Sequence, residues 1–395
     1  MTDTNRFIIN FIFLAILNGI AVGMGKIITT LYAISIGASS MQIGFITSME
    51  SLGKVLVTLP AGFIIARYGA RNIYILTSIV PMLLTWPLPL CHSWYTIGTL
   101  RGLASLCIPF RVVAMNSSFL QCLDEIGSQK AGWYRGSRAI GLGLLGPIFA
   151  SFFTDNYSYL SAFIFIGACF GIMAFYGNRI LPGSHREDDA DTDGSHESFV
   201  QQIKTLFRNP PIANSMIIEF LNSSTNILFS TFIILITIKI SGMTSRDGIH
   251  LLVIEGFTSV TALFFLGYLV KTLSTKIAYI ISISLAATGL YLLGTAHNFI
   301  VFCLGTMALS LGSSLIHIVN TWQLSRSKMS KSKISGIYNL AGILGGMFGG
   351  CVGGIASNFV ALQSLFLYWI PFVFTVLFIS NYKTIHNTSF YSKPN

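Results

Sequence analysis

Long apolar runs, repeated from one end of the chain to the other, restrict this sequence to a helical membrane protein. Hydrophobic residues make up 53% of its 395 residues and charged residues only 10%, and the mean hydropathy is +0.69. Such a composition is too apolar for a water-exposed surface, whereas a helix needs about 20 apolar residues to cross a bilayer. The sequence therefore predicts an all-α polytopic protein with twelve transmembrane helices. They are placed at residues 7–34, 41–65, 72–92, 96–121, 137–154, 158–180, 212–238, 249–270, 277–296, 298–324, 334–357 and 359–381.

Basic residues fall in short clusters between these runs and give the chain a net charge of +10. If both termini are cytoplasmic, 18 of the 24 Lys and Arg residues lie in the inner loops and tails. The positive-inside rule therefore predicts cytoplasmic termini. Because the charges form no single patch, no nucleic-acid partner is expected. We expect a multi-pass protein in the lipid bilayer of the bacterial cytoplasmic (inner) membrane.

A polar segment divides the chain into two halves. Residues 182–198 hold six of the 14 acidic residues, with Gly and Ser between them, which is typical of a solvated linker. About 205 residues after the turn between spans 2 and 3, a weak copy of it occurs at 267–276. Two related halves are typical of secondary transporters. The predicted domains are an N-terminal six-helix bundle (1–181), a cytoplasmic linker (182–211) and a C-terminal six-helix bundle with a short cytoplasmic tail (212–395).

A short polar turn with two glycines and two arginines separates the second and third predicted spans. Gly62 allows two helices to approach, Gly69 allows a tight turn, and Arg67 and Arg71 hold the turn in the cytoplasm. This turn resembles motif A of the major facilitator superfamily, although Ala66 stands where the family has an acidic residue. The resemblance covers nearly the whole chain. It implies two pseudo-symmetric six-helix bundles that rock about a substrate site near the membrane midplane.

Gly146 and Pro147 lie in the fifth predicted span, close to Gly141 and Gly143. This pair resembles motif C of the same superfamily, which is associated with antiporters and implies export. A second interpretation is ordinary close packing of helices with a proline kink.

Five charged residues lie within the N-terminal predicted spans, namely Lys26, Glu50, Lys54, Arg101 and Arg111. A charge inside a bilayer costs at least about 2.5 kcal/mol, so each needs a partner, a water-filled cavity or a function. Glu50 and Lys54 are four residues apart, which predicts an ion pair and leaves three cations. Lys26 and Arg111 are predicted to bind an anionic substrate, unless neighbouring helices pair with them or they snorkel to an interface. Arg101 matches the superfamily's motif B arginine, which implies proton coupling, and we assign Glu50 to the same process.

The C-terminal half has a different set of polar residues inside its predicted spans. Glu219, Asn222 and Asn226 share one face of span 7, and His317 and Asn320 share one face of span 10. The Asn and His side chains are predicted to bind substrate. A carboxylate in a low-dielectric cavity can exchange protons near neutral pH, so Glu219 and, in span 8, Glu255 are predicted to couple transport to protons. Each could instead be a satisfied structural partner.

The sequence does not indicate an enzyme or a bound cofactor. We find no phosphate-binding loop, no metal-ligand cluster and no spacing typical of a nucleophile and its base. The prediction is a monomeric secondary transporter that exports a small anionic metabolite, such as a carboxylate siderophore, in exchange for protons. Three alternatives stay open: proton-coupled import of an organic anion or sugar phosphate, multidrug efflux, and a membrane sensor that binds a ligand without moving it.

Overall fold

The computed structural model describes residues 3–58, 60–121, 133–181, 210–239, 243–266, 273–325 and 331–391. All regular structure within these residues is helical. Besides the α-helices, it includes a short 3-10 helix at Leu88–Leu90 and a π-helical segment at Gly141–Leu145. The α-helices are α1 Asp3–Ser35, α2 Ser40–Thr58, α3 Ala61–Tyr68, α4 Ala70–Thr85, α5 Trp94–Gln121, α6 Trp133–Ile140, α7 Gly146–Asn156, α8 Tyr159–Ile180, α9 Pro210–Lys239, α10 Ser245–Phe265, α11 Thr275–Thr295, α12 Phe299–Ser325, α13 Lys331–Ala356 and α14 Ser364–Tyr391.

Ten helical stretches of the described residues are long and apolar enough to cross a membrane. The other two predicted spans are helical as well. Span 2 corresponds to α2 and α3, and span 12 to α14, whose apolar part is Ser364–Leu377. Span 12, predicted to begin at about residue 359, is helical from Ser364 and is preceded by hydrogen-bonded turns. The predicted linker lies outside the described residues up to residue 209, as does the weak repeat at 267–272.

The chain forms two compact units. Unit 1 comprises the described residues of Met1–Ala190 and Ser230–Val260, and unit 2 those of Asp191–Phe229 and Thr261–Asn395. Both α9 and α10 therefore contribute to each unit. In unit 1, α1 packs against α6, α7 and α8, and α5 packs against α2 and α4. In unit 2, α11 packs along α12 and α14.

Glycines allow several of these helices to approach closely. A methyl group on Gly53 of α2 would meet the backbone of Gly102 on α5. Gly345 and Gly349 of α13 similarly leave room for the backbone of α9, at Phe220 and Ser224 respectively. Small residues at these positions replace side-chain packing with backbone contact, which is common between membrane helices. This close approach brings polar side chains of neighbouring helices within bonding distance.

The distribution of apolar side chains fits a hydrocarbon solvent. Large residues such as Leu56, Phe265 and Ile300 are exposed on the helix surfaces. Charged and polar residues, including Glu50, Arg111 and Asn320, are buried inside. Because lipid tails solvate apolar surface, this arrangement leaves interhelical hydrogen bonds and ion pairs to specify which helix faces meet.

Candidate functional site

Unit 1 contains a buried ion cluster centred on Glu50. Its Oε1 atom accepts a hydrogen bond from Lys54 Nζ at 2.8 Å, and its Oε2 atom accepts one from Arg101 Nη2, also at 2.8 Å. The Glu50–Lys54 pair is confirmed. Arg101 is one of the three cations that the Glu50–Lys54 pair left over, and the alternative of a partner on a neighbouring helix holds for it, because the contact between α2 and α5 at Gly53 brings its guanidinium to the same carboxylate.

Arg111 lies ten residues further along α5 and is 1% exposed. Its Nη1 atom donates to the carbonyl oxygen of Thr77 at 2.8 Å, and its guanidinium stacks 4.6 Å from the ring centre of Phe170. A small cavity in unit 1 is lined by Glu50, Arg101 and Arg111, together with Ser105 and apolar residues. The two arginines therefore face one space, which carries two guanidinium groups and one carboxylate.

Lys26 lies in the same unit, on α1, and its side chain is half-buried. Its Nζ atom donates to Ser230 Oγ on α9 at 2.5 Å. Glu255 of α10 and Glu50 are the carboxylates whose charges act on its ammonium group, Glu255 more strongly. Glu255 was predicted, like Glu219, to couple transport to protons. The structure places these two carboxylates in different units, because α10 belongs to unit 1 as far as Val260.

Glu219 is the centre of a second cluster, in unit 2. Its Oε2 atom accepts hydrogen bonds from Tyr338 at 2.5 Å and from Asn320 at 3.3 Å. Ser223 donates to its Oε1 atom at 3.3 Å. His317 Nδ1 lies 3.1 Å from the Tyr338 hydroxyl and 3.8 Å from Glu219 Oε2. Glu219, His317 and Asn320 are thus brought together from α9 and α12.

The two asparagines predicted to share a polar face with Glu219 contact a different group. Asn222 Nδ2 donates to the carbonyl oxygen of Ser313 at 3.4 Å, and Asn226 Nδ2 donates to its hydroxyl at 2.6 Å. Both bonds join α9 to α12. In this conformation the two amides are therefore used for contact between helices, and the predicted continuous polar face separates into two groups.

The predicted turn between spans 2 and 3 is shorter than expected. Gly62 and Arg67 are helical residues of α3, and only Gly69 leaves the helix, with φ 83° before α4 begins. That left-handed backbone confirms why glycine stands there. Arg71 donates to Asn178 Oδ1 of α8 through Nε and Nη2, at 3.1 and 2.6 Å. Exposed Arg67 lies 5.6 Å from the ring of Tyr68.

A π-helical turn precedes Gly146 and Pro147, both of which are buried. The wide turn at Gly141–Leu145 makes this helix irregular immediately before the proline. Gly143 in this turn lies against Gly256 of α10, within unit 1. The glycines predicted to allow close packing are therefore in close backbone contact.

Sequence reasoning missed the two tyrosines of unit 2, Tyr338 and Tyr279, and also Ser313. Tyrosine near the end of an apolar run is typical of an interfacial anchor, and serine in such helices commonly bonds to its own backbone. Neither residue type therefore indicates a site. One sequence feature could have predicted the contact between Tyr338 and Glu219. Tyr338 is seven residues from the start of α13 and Glu219 is nine residues from the start of α9, so the two residues lie at similar depths in the membrane.

Apolar helices of membrane length that enclose buried ionic and polar clusters define a class, the polytopic membrane transport proteins. The family follows from sequence comparison. The model of the Major Facilitator Superfamily matches residues 8–254, more than half of the chain. The chain therefore belongs to the Major Facilitator Superfamily.

Individual relatives agree with this assignment. An uncharacterized MFS-type transporter of Methanocaldococcus jannaschii is 24% identical over 322 residues, covering 76% of this chain and 78% of that protein. The crystal structure of the nucleoside transporter NupG matches with a TM-score of 0.78 at 14% identity, covering 95% of this chain and 98% of NupG. The crystal structure of a bacterial homolog of the human lysosomal transporter Spinster, inward-facing and unoccupied, matches with a TM-score of 0.67 at 13% identity. The match covers 91% of this chain and 83% of that protein.

The predicted fold, twelve helices in two pseudo-symmetric six-helix bundles, is confirmed by the family and by these structural neighbours. The family and its neighbours are transporters of small molecules and not enzymes, so the chain is a multi-pass membrane transporter. At 13% and 14% identity the solved structures show the fold alone.

Proposed function

We propose that this protein is a proton-coupled secondary transporter that exports a small anionic metabolite, such as a carboxylate siderophore, by alternating access. The observation that carries the proposal is the unit 1 cavity lined by Arg101, Arg111 and Glu50. Bundles at 1–181 and 212–395, joined by a cytoplasmic linker, would provide the two moving parts. The protein would act as a monomer in the bacterial cytoplasmic membrane with both termini inside.

The charge balance of unit 1 supports an anionic substrate. Away from the ends of its described membrane helices, unit 1 carries the cations Lys26, Lys54, Arg101 and Arg111 and the carboxylates of Glu50 and Glu255. Four positive against two negative charges leave an excess of two. Carboxylates or phosphates of a substrate would offset the desolvation of these groups and accept charge-assisted hydrogen bonds from the guanidinium of Arg111. A lipophilic cation would gain nothing from this cavity.

Glu219 supports proton coupling. It is a buried carboxylate inside a membrane helix, and an ionised group there is costly unless it is hydrogen-bonded. Protonation would remove that cost in a conformation where its donors move away. Glu219 is therefore the proposed proton site. Glu50 with Arg101, and Glu255 with Lys26, are proposed to change their pairing during the cycle, while Asn222 and Asn226 are proposed to contact substrate when their bonds to α12 open.

The direction of transport is supported by the resemblance of the Gly146–Pro147 pair to the antiporter motif. Metabolite profiling of a deletion strain, grown with and without iron, tests it. A carboxylate siderophore that disappears from the medium and accumulates in the cells is the expected result. If the medium is unchanged and uptake of an organic anion or sugar phosphate is lost, the protein is an importer.

Reconstitution in proteoliposomes tests coupling and substrate class together. The panel should contain the accumulated metabolite, a sugar phosphate, a lipophilic cation and, because NupG is described as a nucleoside transporter, a nucleoside. Accumulation of the anion driven by a pH gradient is expected. Binding without gradient-driven accumulation would identify a sensor, and accumulation of the lipophilic cation would identify a drug pump.

Two variants address the assigned residues. Arg111→Ala should weaken binding of the anion about tenfold to hundredfold, since a hydrogen bond to a charged group contributes about 1.5–3 kcal/mol. Arg179→Ala, which removes an exposed cation at the end of α8, is the matched control. Glu219→Gln should abolish the response to a pH gradient but keep substrate exchange. Unchanged binding in the first variant, or normal coupling in the second, contradicts the respective assignment.

A further inference from the structure

The cluster around Glu219 contains a continuous chain of exchangeable protons. We propose that Tyr338 and His317 form the path along which a proton moves between Glu219 and the inner aqueous side. The inference rests on the proposed role of Glu219 and adds two residues to it. Tyr338 is then the link, and His317 the group that exchanges protons with water.

Burial differs between the two ends of the hydrogen-bonded series Glu219–Tyr338–His317, and Tyr338 is as buried as Glu219. The side chain of Glu219 is 10% exposed, whereas that of His317 is 44% exposed. The Tyr338 hydroxyl lies between them, 2.5 Å from Glu219 Oε2 and 3.1 Å from His317 Nδ1. The direct distance from His317 to Glu219 is 3.8 Å, too long for a hydrogen bond. A proton therefore has one short route between imidazole and carboxylate, through the phenol.

The hydrogen atoms of the cluster fix the direction of each bond. Tyr338 has one hydroxyl hydrogen, which it donates to Glu219 Oε2. Its oxygen can then only accept from His317, so Nδ1 of His317 carries a hydrogen. The amide of Asn320 donates to the same carboxylate oxygen at 3.3 Å. Glu219 thus accepts from neighbours, as expected of an ionised carboxylate that is ready to take a proton.

Two further side chains, Tyr279 and Asn320, orient the groups around Glu219. Tyr279 of α11 donates to Asn320 Oδ1 at 2.6 Å, which turns the amide nitrogen of Asn320 toward Glu219. The titratable groups in contact with one another here are Glu219 on α9, Tyr279 on α11, His317 on α12 and Tyr338 on α13.

The positions of Glu219, Tyr338 and His317 along their helices place this hydrogen-bonded series near one end of the membrane. At 1.5 Å per residue, Tyr338 lies about 10 Å from the start of α13, His317 about 12 Å from the end of α12, and Glu219 about 14 Å from the start of α9. By the predicted orientation these three helix ends are cytoplasmic. The path therefore leads to the inner side.

The transfer conserves protons. A doubly protonated His317 gives its Nδ1 hydrogen to the Tyr338 oxygen while the Tyr338 hydrogen moves to Glu219 Oε2. His317 becomes neutral with its hydrogen on Nε2, Tyr338 is unchanged, and Glu219 becomes a neutral acid. Reversal of both hops releases the proton to water.

Time-resolved infrared spectroscopy of the full-length protein in liposomes tests the path with the proton itself as the probe. After a pH jump, a carboxylic-acid band that is missing in Glu219→Gln reports protonation of Glu219. Tyr338→Phe removes only the hydroxyl and should slow the appearance of this band about a hundredfold, the lower range for a positioned proton-transfer group. Tyr291→Phe, at an exposed tyrosine of α11, should leave the rate unchanged.

Variants of His317 show whether this residue relays protons or only makes a structural contact. They also keep the test valid if Tyr338→Phe fails to fold. His317→Asn keeps an N–H donor near Tyr338 but cannot carry a proton, and His317→Ala removes both functions. A relay predicts that both slow the band equally. Wild-type rates in Tyr338→Phe, or rescue by asparagine, would overturn the path while leaving Glu219 as the proton site. Absence of any titrating Glu219 band in the wild-type protein would overturn the path and the proposed coupling together.

Discussion

Replacing Glu50 by glutamine should destabilise the protein by about 3–5 kcal/mol. Glu50 and Arg101 are both buried, with side chains 10% and 7% exposed, and their charged atoms are 2.8 Å apart. Removing one partner of a buried pair leaves the other charge uncompensated in a medium that solvates it poorly, which costs about 3–5 kcal/mol. The loss should therefore come mainly from the guanidinium of Arg101.

Lys54 contributes much less to this expected loss. Its side chain is 23% exposed and lies one turn from Glu50 on the same helix. Pairs of this spacing contribute about 0.3–0.5 kcal/mol when exposed, and replacing Lys54 leaves Glu50 paired with Arg101. Lys54→Gln is consequently the matched control, with an expected loss below about 1 kcal/mol.

Denaturant titration in detergent measures both changes, and a double variant tests their origin. Glu50→Gln combined with Arg101→Gln leaves no uncompensated guanidinium, so it should be more stable than Glu50→Gln alone. A loss below about 1 kcal/mol in Glu50→Gln would refute the reasoning. So would a double variant whose loss equals the sum of the two single losses.

Three further predictions concern packing and the ends of the helices. Gly256→Leu should lower the free energy of unfolding by about 1–3 kcal/mol, because its side chain would meet backbone atoms of the π-helical turn. Gly171→Ala is the control: its methyl group would meet only a methionine sulfur, so it should be nearly neutral in the same denaturant titration. Trp369→Phe should cost about 0.5–1.5 kcal/mol in that assay, through loss of a buried 3.0 Å hydrogen bond to a threonine hydroxyl. Asp155→Arg should lower the thermal midpoint in detergent, because it places two cations together. Adding Arg246→Asp should restore the midpoint, because the 2.8 Å ion pair is then re-formed with its ends exchanged. A double variant as unstable as the single one would contradict this.

The sequence predicted the fold class because the bilayer makes a strong demand on local composition. A segment that crosses it must be helical and about 20 residues long, and this can be counted along the chain. The Glu50–Lys54 pair and the turn at Gly69 were predictable for a similar reason. Both depend only on spacing within one helix or on the backbone of one residue.

The sequence could not pair residues that are far apart in the chain. Arg101 was left without an assigned partner because no carboxylate is near it in sequence, and Glu50 reaches it only through the contact between α2 and α5. Glu255 was named as a second candidate proton carrier beside Glu219, and nothing in the sequence placed its charge near Lys26 of α1. Which carboxylate meets which cation depends on helix packing.

What the sequence alone determined is therefore the solvent, the helices and the residue types that a membrane buries at a cost. The tertiary structure decided how those residues are grouped: Glu50 with two cations, Lys26 with Ser230, and Glu219 with Tyr338 and His317. The physical reason is that hydrogen bonds and ion pairs act over about 3 Å. Only packed backbones bring residues as distant in sequence as Glu219 and Tyr338 within that range.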